Sequence, residues 1–188
     1  MRYADDFVLL CESREQAEAG LELVTRWCQT NKLNLHPEKT KLIEATKSEG
    51  FDFLGYHFRA ENHWPGDKGR KNLRTKLRPL TKRNNGKSMQ KIIEEINPII
   101  RGWFHYFKYC RRWQLKAMDS WIRGRLRSIN RRRRKRKGRG RGLDHQRWPN
   151  SYFEELGLFS LEAAHESFCE SHEEIPRWRL PDLLNGPH

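Results

Sequence analysis

The chain has 188 residues, and its 38 Lys and Arg side chains outnumber 24 Asp and Glu, which gives a formal net charge of +14. Only 36% of the residues are hydrophobic, and no stretch approaches the roughly 18 apolar residues of a membrane span. The short apolar run after residue 6 follows two aspartates, unlike the core of a signal peptide. These features exclude a membrane-spanning protein and fit one compact domain or two small ones. Four cysteines without a C-x-x-C pair indicate reduced thiols and a cytoplasmic location.

The first sixty residues have the pattern of a small sheet with one helix. An apolar run at 7–11 predicts a strand, and a Ser-x-x-Gln capping box at Ser13 precedes a helix that we expect to end near Gln29. A second strand is predicted at 40–45. The aromatic stretch 51–58 contains an internal glycine, which indicates a hairpin or a close backbone approach.

The apolar spacing changes to the helical period after residue 69. Residues 61–69 contain a Pro-Gly pair and predict a linker. Residues 70–137 then predict an all-α domain of four short helices, the third starting at Asn97-Pro98 with an N-cap and a proline. We assign Trp103, Phe104 and Phe107 to the core. The four apolar stripes are Leu73, Leu77 and Leu80; Met89, Ile92, Ile93 and Ile96; Ile99, Ile100, Trp103, Phe104 and Phe107; and Leu115, Met118, Ile122, Leu126 and Ile129.

The positive charge is concentrated in this helical part. Residues 70–142 hold 26 Lys and Arg against three acids, whereas the rest of the chain has 12 basic and 21 acidic side chains. Such a segment repels itself unless it lies beside a polyanion. An acidic membrane surface would also suit it. Aromatic and aliphatic residues interleaved with the charge at helical spacing favour a nucleic acid instead.

The most basic stretch runs from Arg131 to Gly142, with nine basic residues in twelve and no apolar residue. It predicts an extended segment that is disordered until bound. We expect residues 138–188 to form a partly disordered tail with short helices around Tyr152–Leu156 and Leu161–Ser171.

Two groups of side chains could hold a metal ion. Asp5 and Asp6 are adjacent carboxylates at the edge of a predicted strand, and such a pair either binds a divalent cation or sits in a solvated turn. His165, Cys169 and His172 fall on one helical face and could be three zinc ligands, although no fourth ligand is evident.

Tyr3-Ala4-Asp5-Asp6 followed by Phe7-Val8-Leu9-Leu10 resembles the catalytic hairpin of reverse transcriptases, specifically the group II intron reverse transcriptase/maturase family. Four further segments resemble parts of the same family, in the same order along the chain. In turn they resemble the stretch after the palm helix, the primer-contacting hairpin, the maturase core, and the stretch that follows this core in bacterial members. These are Leu33-Asn34-Leu35 with Lys39-Thr40-Lys41; Phe53-Leu54-Gly55-Tyr56-His57-Phe58; Asn97-Pro98 with Arg101-Gly102-Trp103-Phe104-His105-Tyr106-Phe107; and Trp148-Pro149-Asn150 with Tyr152-Phe153 and Gly157-Leu158-Phe159-Ser160-Leu161.

The resemblance implies an α+β fold, with a partial reverse-transcriptase palm at 1–60 and an all-α thumb or maturase domain at 70–137. It also implies Mg²⁺ bound by Asp5 and Asp6 as remnant catalytic residues. The family takes a further metal-binding aspartate from upstream of this motif, so we expect a truncated protein whose polymerase site is incomplete. Two alternatives are a polymerase half completed by a separately encoded N-terminal fragment, and a non-functional relic of a mobile element.

The implied function is binding of group II intron RNA and assistance to its folding and splicing in a bacterial-type cytoplasm, without a membrane partner. The basic side chains of the helical part supply the means, because each neutralised phosphate releases a counterion. The candidate nucleic-acid-binding residues are Lys39, Lys41, Gly55, Lys71, Arg74, Arg78, Lys82, Arg83, Arg101, Tyr106, Arg111, Arg112, Arg131, Arg132, Arg133, Arg134, Lys135, Arg136 and Lys137.

Overall fold

The computed structural model describes residues 2–3, 5–44, 50–60, 62–137 and 142–171. The fold is α+β, as predicted, and its described part divides into two compact units, with the boundary between His63 and Trp64. The elements are β1 (Arg2–Tyr3), β2 (Asp6–Phe7), α1 (Arg14–Thr30), β3 (Phe51–Phe53), β4 (Tyr56–Arg59), β5 (Asn62–Pro65), α2 (Asp67–Leu80), α3 (Met89–Phe107), α4 (Arg112–Arg133), α5 (Asp144–Arg147), α6 (Asn150–Glu155) and α7 (Leu161–Ser171). No helix in these ranges is both long and apolar enough to cross a membrane.

Helix α1 of the first unit begins at the predicted capping box. The Ser13 hydroxyl accepts a hydrogen bond from the backbone N–H of Gln16 at 3.2 Å, and the Gln16 side chain accepts one from the N–H of Glu12 at 3.2 Å. These bonds satisfy N–H groups that a helix leaves unpaired in its first turn. The predicted helix is therefore confirmed, and it ends one residue beyond the expected Gln29.

Two strand predictions in the first unit are wrong in extent. The strand predicted at 7–11 is only β2, which ends at Phe7, and the described residues 40–44 of the second predicted strand form no strand. Leu42 and Ile43 there are 46% and 48% exposed. An apolar run becomes a strand only where another strand pairs with its backbone, and the described residues supply none here.

The aromatic stretch forms the predicted hairpin. Phe51 pairs with Phe58 and Phe53 pairs with Tyr56, so β3 and β4 are joined by only Leu54 and Gly55. Both connecting residues have positive φ, 48° and 77°, as the favoured two-residue hairpin turn requires. The supposed linker 61–69 is not irregular, since β5 extends this sheet to order β3-β4-β5 and α2 begins at Asp67.

The core lies in the second unit, on the apolar stripes predicted for residues 70–137. Phe104 and Phe107 are buried as predicted, and Trp103 is half-buried with its indole N–H donating to the Gly69 carbonyl at 3.2 Å. The α6 and α7 side chains Phe153 and Leu161 complete the same core. The largest fully buried side chains are Leu73, Leu77, Ile92, Ile93, Ile96, Ile100, Leu115, Ile122, Leu126, Ile129, Phe153 and Leu161.

Asn97 and Pro98 do not begin a helix, which corrects the prediction of four helices in this part to three. Helix α3 runs through them without a break. The Asn97 side chain instead donates to the Gly157 carbonyl at 2.8 Å and accepts from the Phe159 N–H at 2.9 Å. Proline removes one helical hydrogen bond, but burial of the isoleucines on both sides of it holds the helix together.

The basic stretch after residue 130 is partly folded, contrary to the predicted extended segment. Helix α4 continues through Arg133. Just after the helix, Lys135 has a positive φ of 57°. The Lys135 N–H donates a hydrogen bond to the Arg132 carbonyl at 2.8 Å, and the Arg136 N–H donates one to the Arg131 carbonyl at 3.1 Å. This is a Schellman ending, which satisfies the last carbonyls of the helix and turns the chain back. Residues 138–141 of the stretch lie outside the described part.

Residues 142–171 belong to the helical unit. The predicted short helices are present as α6 and α7. Buried Asp119 of α4 accepts from the N–H groups of Leu161 and Glu162 at the start of α7, at 3.1 and 3.0 Å. Residues 172–188 lie outside the described part.

Candidate nucleic-acid interface

Most of the predicted nucleic-acid-binding residues lie at the surface. Lys39, Lys41 and Gly55 are exposed in the first unit. In the second unit Arg74 and Arg131 are partly buried. The exposed ones there are Lys71, Arg78, Lys82, Arg83, Arg101, Tyr106, Arg111, Arg112, Arg132, Arg133, Arg134, Lys135, Arg136 and Lys137.

The end of α4 and the connection between α2 and α3 together form a basic pocket. Its lining is Arg83, Asn84, Arg132 and Lys137, and its volume is about 220 Å³. The guanidinium of Arg133 donates to the Lys87 carbonyl, which ties the end of α4 to the connection. The sequence predicted the three cations separately, but it gave no signal for Asn84 or for the juxtaposition.

Arg131 makes two hydrogen bonds within the helical unit. Its guanidinium donates to the Asp144 carboxylate at 2.6 Å and to the Lys137 carbonyl at 2.7 Å. Asp144 is 2% exposed. A buried carboxylate paired with one guanidinium holds it in a single orientation. Arg131 therefore links buried Asp144 to the backbone at Lys137.

Arg101 and Arg112, on α3 and α4, also contact the C-terminal part of the unit. The Arg112 guanidinium lies 2.9 Å from Glu162 and 2.5 Å from Glu166 of α7. Its hydrogen bond with Glu162 raises the pKa of Arg112. Arg101 lies over the Phe159 ring, 4.5 Å from its centroid. Neither contact is apparent from sequence, because the partners are 50 or more residues away.

The Tyr106 side chain, by contrast, is 55% exposed. Two aromatic residues close to it in sequence, Tyr109 and Trp113, are 44% and 61% exposed. Exposed aromatic rings beside cations are suited to stacking on unpaired bases.

Two further arginines of α2 and α4 enclose an aromatic ring. Arg74 and Arg125 lie 5.7 and 5.5 Å from the centroid of the Trp121 ring. Arg125 also donates to the Thr81 hydroxyl at 2.6 Å and to the Thr81 carbonyl at 2.9 Å, at the end of α2. Arg127 is buried, so its pKa is lowered, and it donates to the Trp148 carbonyl at 2.8 Å. Part of the positive charge on α4 is thus structural.

Neither group of side chains considered for a metal ion forms a complete set of ligands in the described part of the chain. Tyr3 pairs with Asp6 in the β1–β2 hairpin, so Asp5 lies in the connection, and both carboxylates are exposed. The Cys169 sulfur lies 3.6 Å from Nδ1 of His165, while His172 is outside the described residues. Among the described residues, no three His, Cys, Asp or Glu side chains are grouped closely enough to hold a metal ion.

Comparison with known families assigns both units. Residues 70–148 match the family of the group II intron maturase-specific domain. Residues 1–58 match the reverse transcriptase (RNA-dependent DNA polymerase) family. A search of curated proteins finds no match. The first match covers α2 from residue 70 onward, α3 to α5 and all four residues of the basic pocket, and the second covers the aspartate hairpin.

Proposed function

The chain belongs to the group II intron reverse transcriptase/maturase family, and from that premise we propose that its helical unit binds the RNA of a group II intron and assists the folding and splicing of that RNA. The observation that carries the proposal is the basic pocket, where Arg83, Arg132 and Lys137 meet at the surface of the maturase-specific domain. Three cations close together favour a polyanion, since binding releases the counterions of the phosphates that they neutralise.

The arrangement of the remaining cations supports RNA as the polyanion. Arginine predominates in the stretch after residue 130, and a guanidinium can contact phosphate with two parallel hydrogen bonds or stack on an exposed base. Tyr106 and its exposed aromatic neighbours add surfaces for unpaired bases. A folded intron presents closely spaced phosphates and unpaired loops, so both kinds of contact would be used.

The test is a binding titration of the purified protein with a group II intron transcript and with an unrelated structured RNA of equal length. We expect the intron to bind at least about 10-fold more tightly at 150 mM salt, a preference that charge alone does not produce. We also expect the protein to increase the fraction of intron transcript that splices. Equal affinity for the two RNAs, with no effect on splicing, would overturn the proposal.

We propose separately that Asp5 and Asp6 are ligands for Mg²⁺. Mg²⁺ prefers oxygen ligands and is commonly held by one or two carboxylates together with water and phosphate, which the exposed pair on the β1–β2 hairpin fits. When bound, the ion would supply positive charge for phosphate groups. Paramagnetic Mn²⁺ should broaden the amide resonances of this hairpin, and Asp5→Asn with Asp6→Asn should remove the broadening. Exposed Glu38→Gln serves as the control, and broadening that survives the aspartate changes would refute the site.

A further inference from the structure

The basic pocket brings together two segments that are about fifty residues apart in sequence. Arg83 and Asn84 come from the α2–α3 connection, and Arg132 and Lys137 come from the end of α4. All four side chains are exposed. They supply three positive charges and an amide, and the lining contains no carboxylate. Such a set of donors fits one small anion.

The α4 side of the pocket is held in place by hydrogen bonds of Arg131. The Schellman ending at Lys135 turns the chain back toward α4. The Arg131 guanidinium donates one hydrogen bond to the Lys137 carbonyl at 2.7 Å, which holds the segment after α4 in place. It donates another to the carboxylate of buried Asp144 at 2.6 Å. The backbone at Lys137 is therefore held close to the end of α4 before any ligand binds.

The opposite side is also ordered. The Asn85 amide donates to the Leu80 carbonyl at 2.7 Å and accepts from the Lys87 N–H at 3.0 Å, which gives the α2–α3 connection a defined shape. The Arg133 guanidinium bonds to the Lys87 carbonyl from across the pocket. The two sides are consequently joined by Arg133, which does not itself line the pocket.

We propose that this pocket binds one backbone phosphate of the RNA and fixes the position of the RNA on the helical unit. This inference rests on the proposed function. Guanidinium groups match the geometry of phosphate oxygens, and a pocket ordered in advance loses little conformational entropy on binding. Each cation that lines the pocket should then contribute more to the affinity for RNA than a cation of the same stretch that lies outside the pocket. A diffuse basic surface would use them all alike.

The first test compares pocket variants with a matched control in a salt titration, using a fluorescently labelled group II intron transcript. Arg83→Gln and Arg132→Gln should each weaken binding about 5- to 10-fold and reduce the slope of log K against log salt by about 0.7 to 0.9, the value for one phosphate. Arg136→Gln removes the same charge from an exposed residue that does not line the pocket, and should cost less than about 3-fold. Equal effects of the three changes would overturn the pocket.

The second test uses the sign of a charge effect. Asp144→Asn raises the net charge by one, so a diffuse basic surface would bind RNA more tightly. Loss of the Asp144–Arg131 pair instead releases Lys137, and the pocket predicts weaker binding, by about 3-fold or more. Tighter binding would contradict the proposal. If this variant melts at a lower temperature than the parent, the exposed Arg83 and Arg132 variants decide the question alone.

The two failures are distinguishable. If the parent protein binds intron and unrelated RNA equally, the proposed function fails. If the parent discriminates between them while Arg83→Gln and Arg132→Gln behave like Arg136→Gln, only the phosphate pocket fails.

Discussion

At the scale of single residues, Asp119 is the buried carboxylate on which the start of α7 depends. It is 3% exposed and accepts three hydrogen bonds, from the N–H groups of Leu161 and Glu162 and from the Ser160 hydroxyl at 3.0 Å. Burial raises the pKa of Asp119, and these hydrogen bonds, with the Arg123 guanidinium 3.8 Å away, act in the opposite direction. The carboxylate thus joins α4 to α7.

Asp119→Asn should lower the free energy of unfolding by about 1.5 to 3 kcal/mol, because the NH₂ group that replaces one carboxylate oxygen cannot accept a hydrogen bond and leaves one backbone N–H at the start of α7 unpaired. Denaturation by urea, followed by circular dichroism, measures the change. Glu94→Gln is the control, since this exposed side chain makes only a surface ion pair with Lys91 and should cost less than about 0.5 kcal/mol. Similar costs for both variants would contradict the role of Asp119.

At the scale of elements, α3 shows how a local pattern can be outweighed by packing. Asn97 followed by proline has the local signature of a helix start, yet α3 is continuous and Asn97 reaches the turn between α6 and α7. Serine is as good a helix cap as asparagine, but its short hydroxyl cannot both donate to the Gly157 carbonyl and accept from the Phe159 N–H.

Asn97→Ser and Asn97→Ala should therefore destabilise the protein alike, by about 1 to 2 kcal/mol, since each loses both contacts with the α6–α7 turn. Chemical denaturation gives the two values. A serine variant as stable as the parent would show that Asn97 acts as a cap after all.

Helix α7 should also make stability depend on pH. Burial lowers the pKa of His165 below the ordinary value of 6.5, so the folded protein favours the neutral imidazole. The contribution of this group to stability is then present above pH 6.5 and is lost as pH falls below that value, because the unfolded chain binds the proton more readily.

The melting temperature should accordingly fall between pH 7.5 and 5. In the His165→Gln variant the free energy of unfolding should change less with pH, and the difference in slope should correspond to at most one bound proton. The parent protein, measured over the same pH range, is the control. An unchanged slope in the His165 variant would refute the assignment.

At the scale of the whole molecule, the two units differ in how much core they contain. Among the described residues, Cys28 is the one buried hydrophobic side chain before Trp64, whereas Leu23, Trp27 and Leu9 there are 64%, 58% and 53% exposed. The second unit holds all the fully buried large side chains named above. Regions with few buried apolar contacts open at a lower free energy than the global unfolding reaction.

Brief trypsin digestion should therefore cut first before residue 64, although the second unit offers many more Lys and Arg sites. Mass spectrometry should identify a resistant fragment that begins near Trp64 and retains α2 to α4. Initial cleavage within those helices would show that the second unit is not the more stable one.

The sequence by itself determined what depends on neighbours within a few residues: the capping box of α1, the glycine that indicated a hairpin or a close backbone approach at 51–58, and the buried stripes of α2, α3 and α4. These features follow from side-chain periodicity and from the conformations that single residues allow. The concentration of positive charge and the family of both units were likewise readable from residue order and composition alone.

Only the tertiary structure decided which contacts each cation of the basic stretch makes. Arg131 and Lys137 look equivalent in a run of basic residues, yet Arg131 pairs with Asp144 while Lys137 lines the pocket with Arg83. The passage of α3 through Pro98 was decided in the same way. Such outcomes depend on partners 13 to 62 residues away, and a periodic pattern carries no information about contacts at that separation.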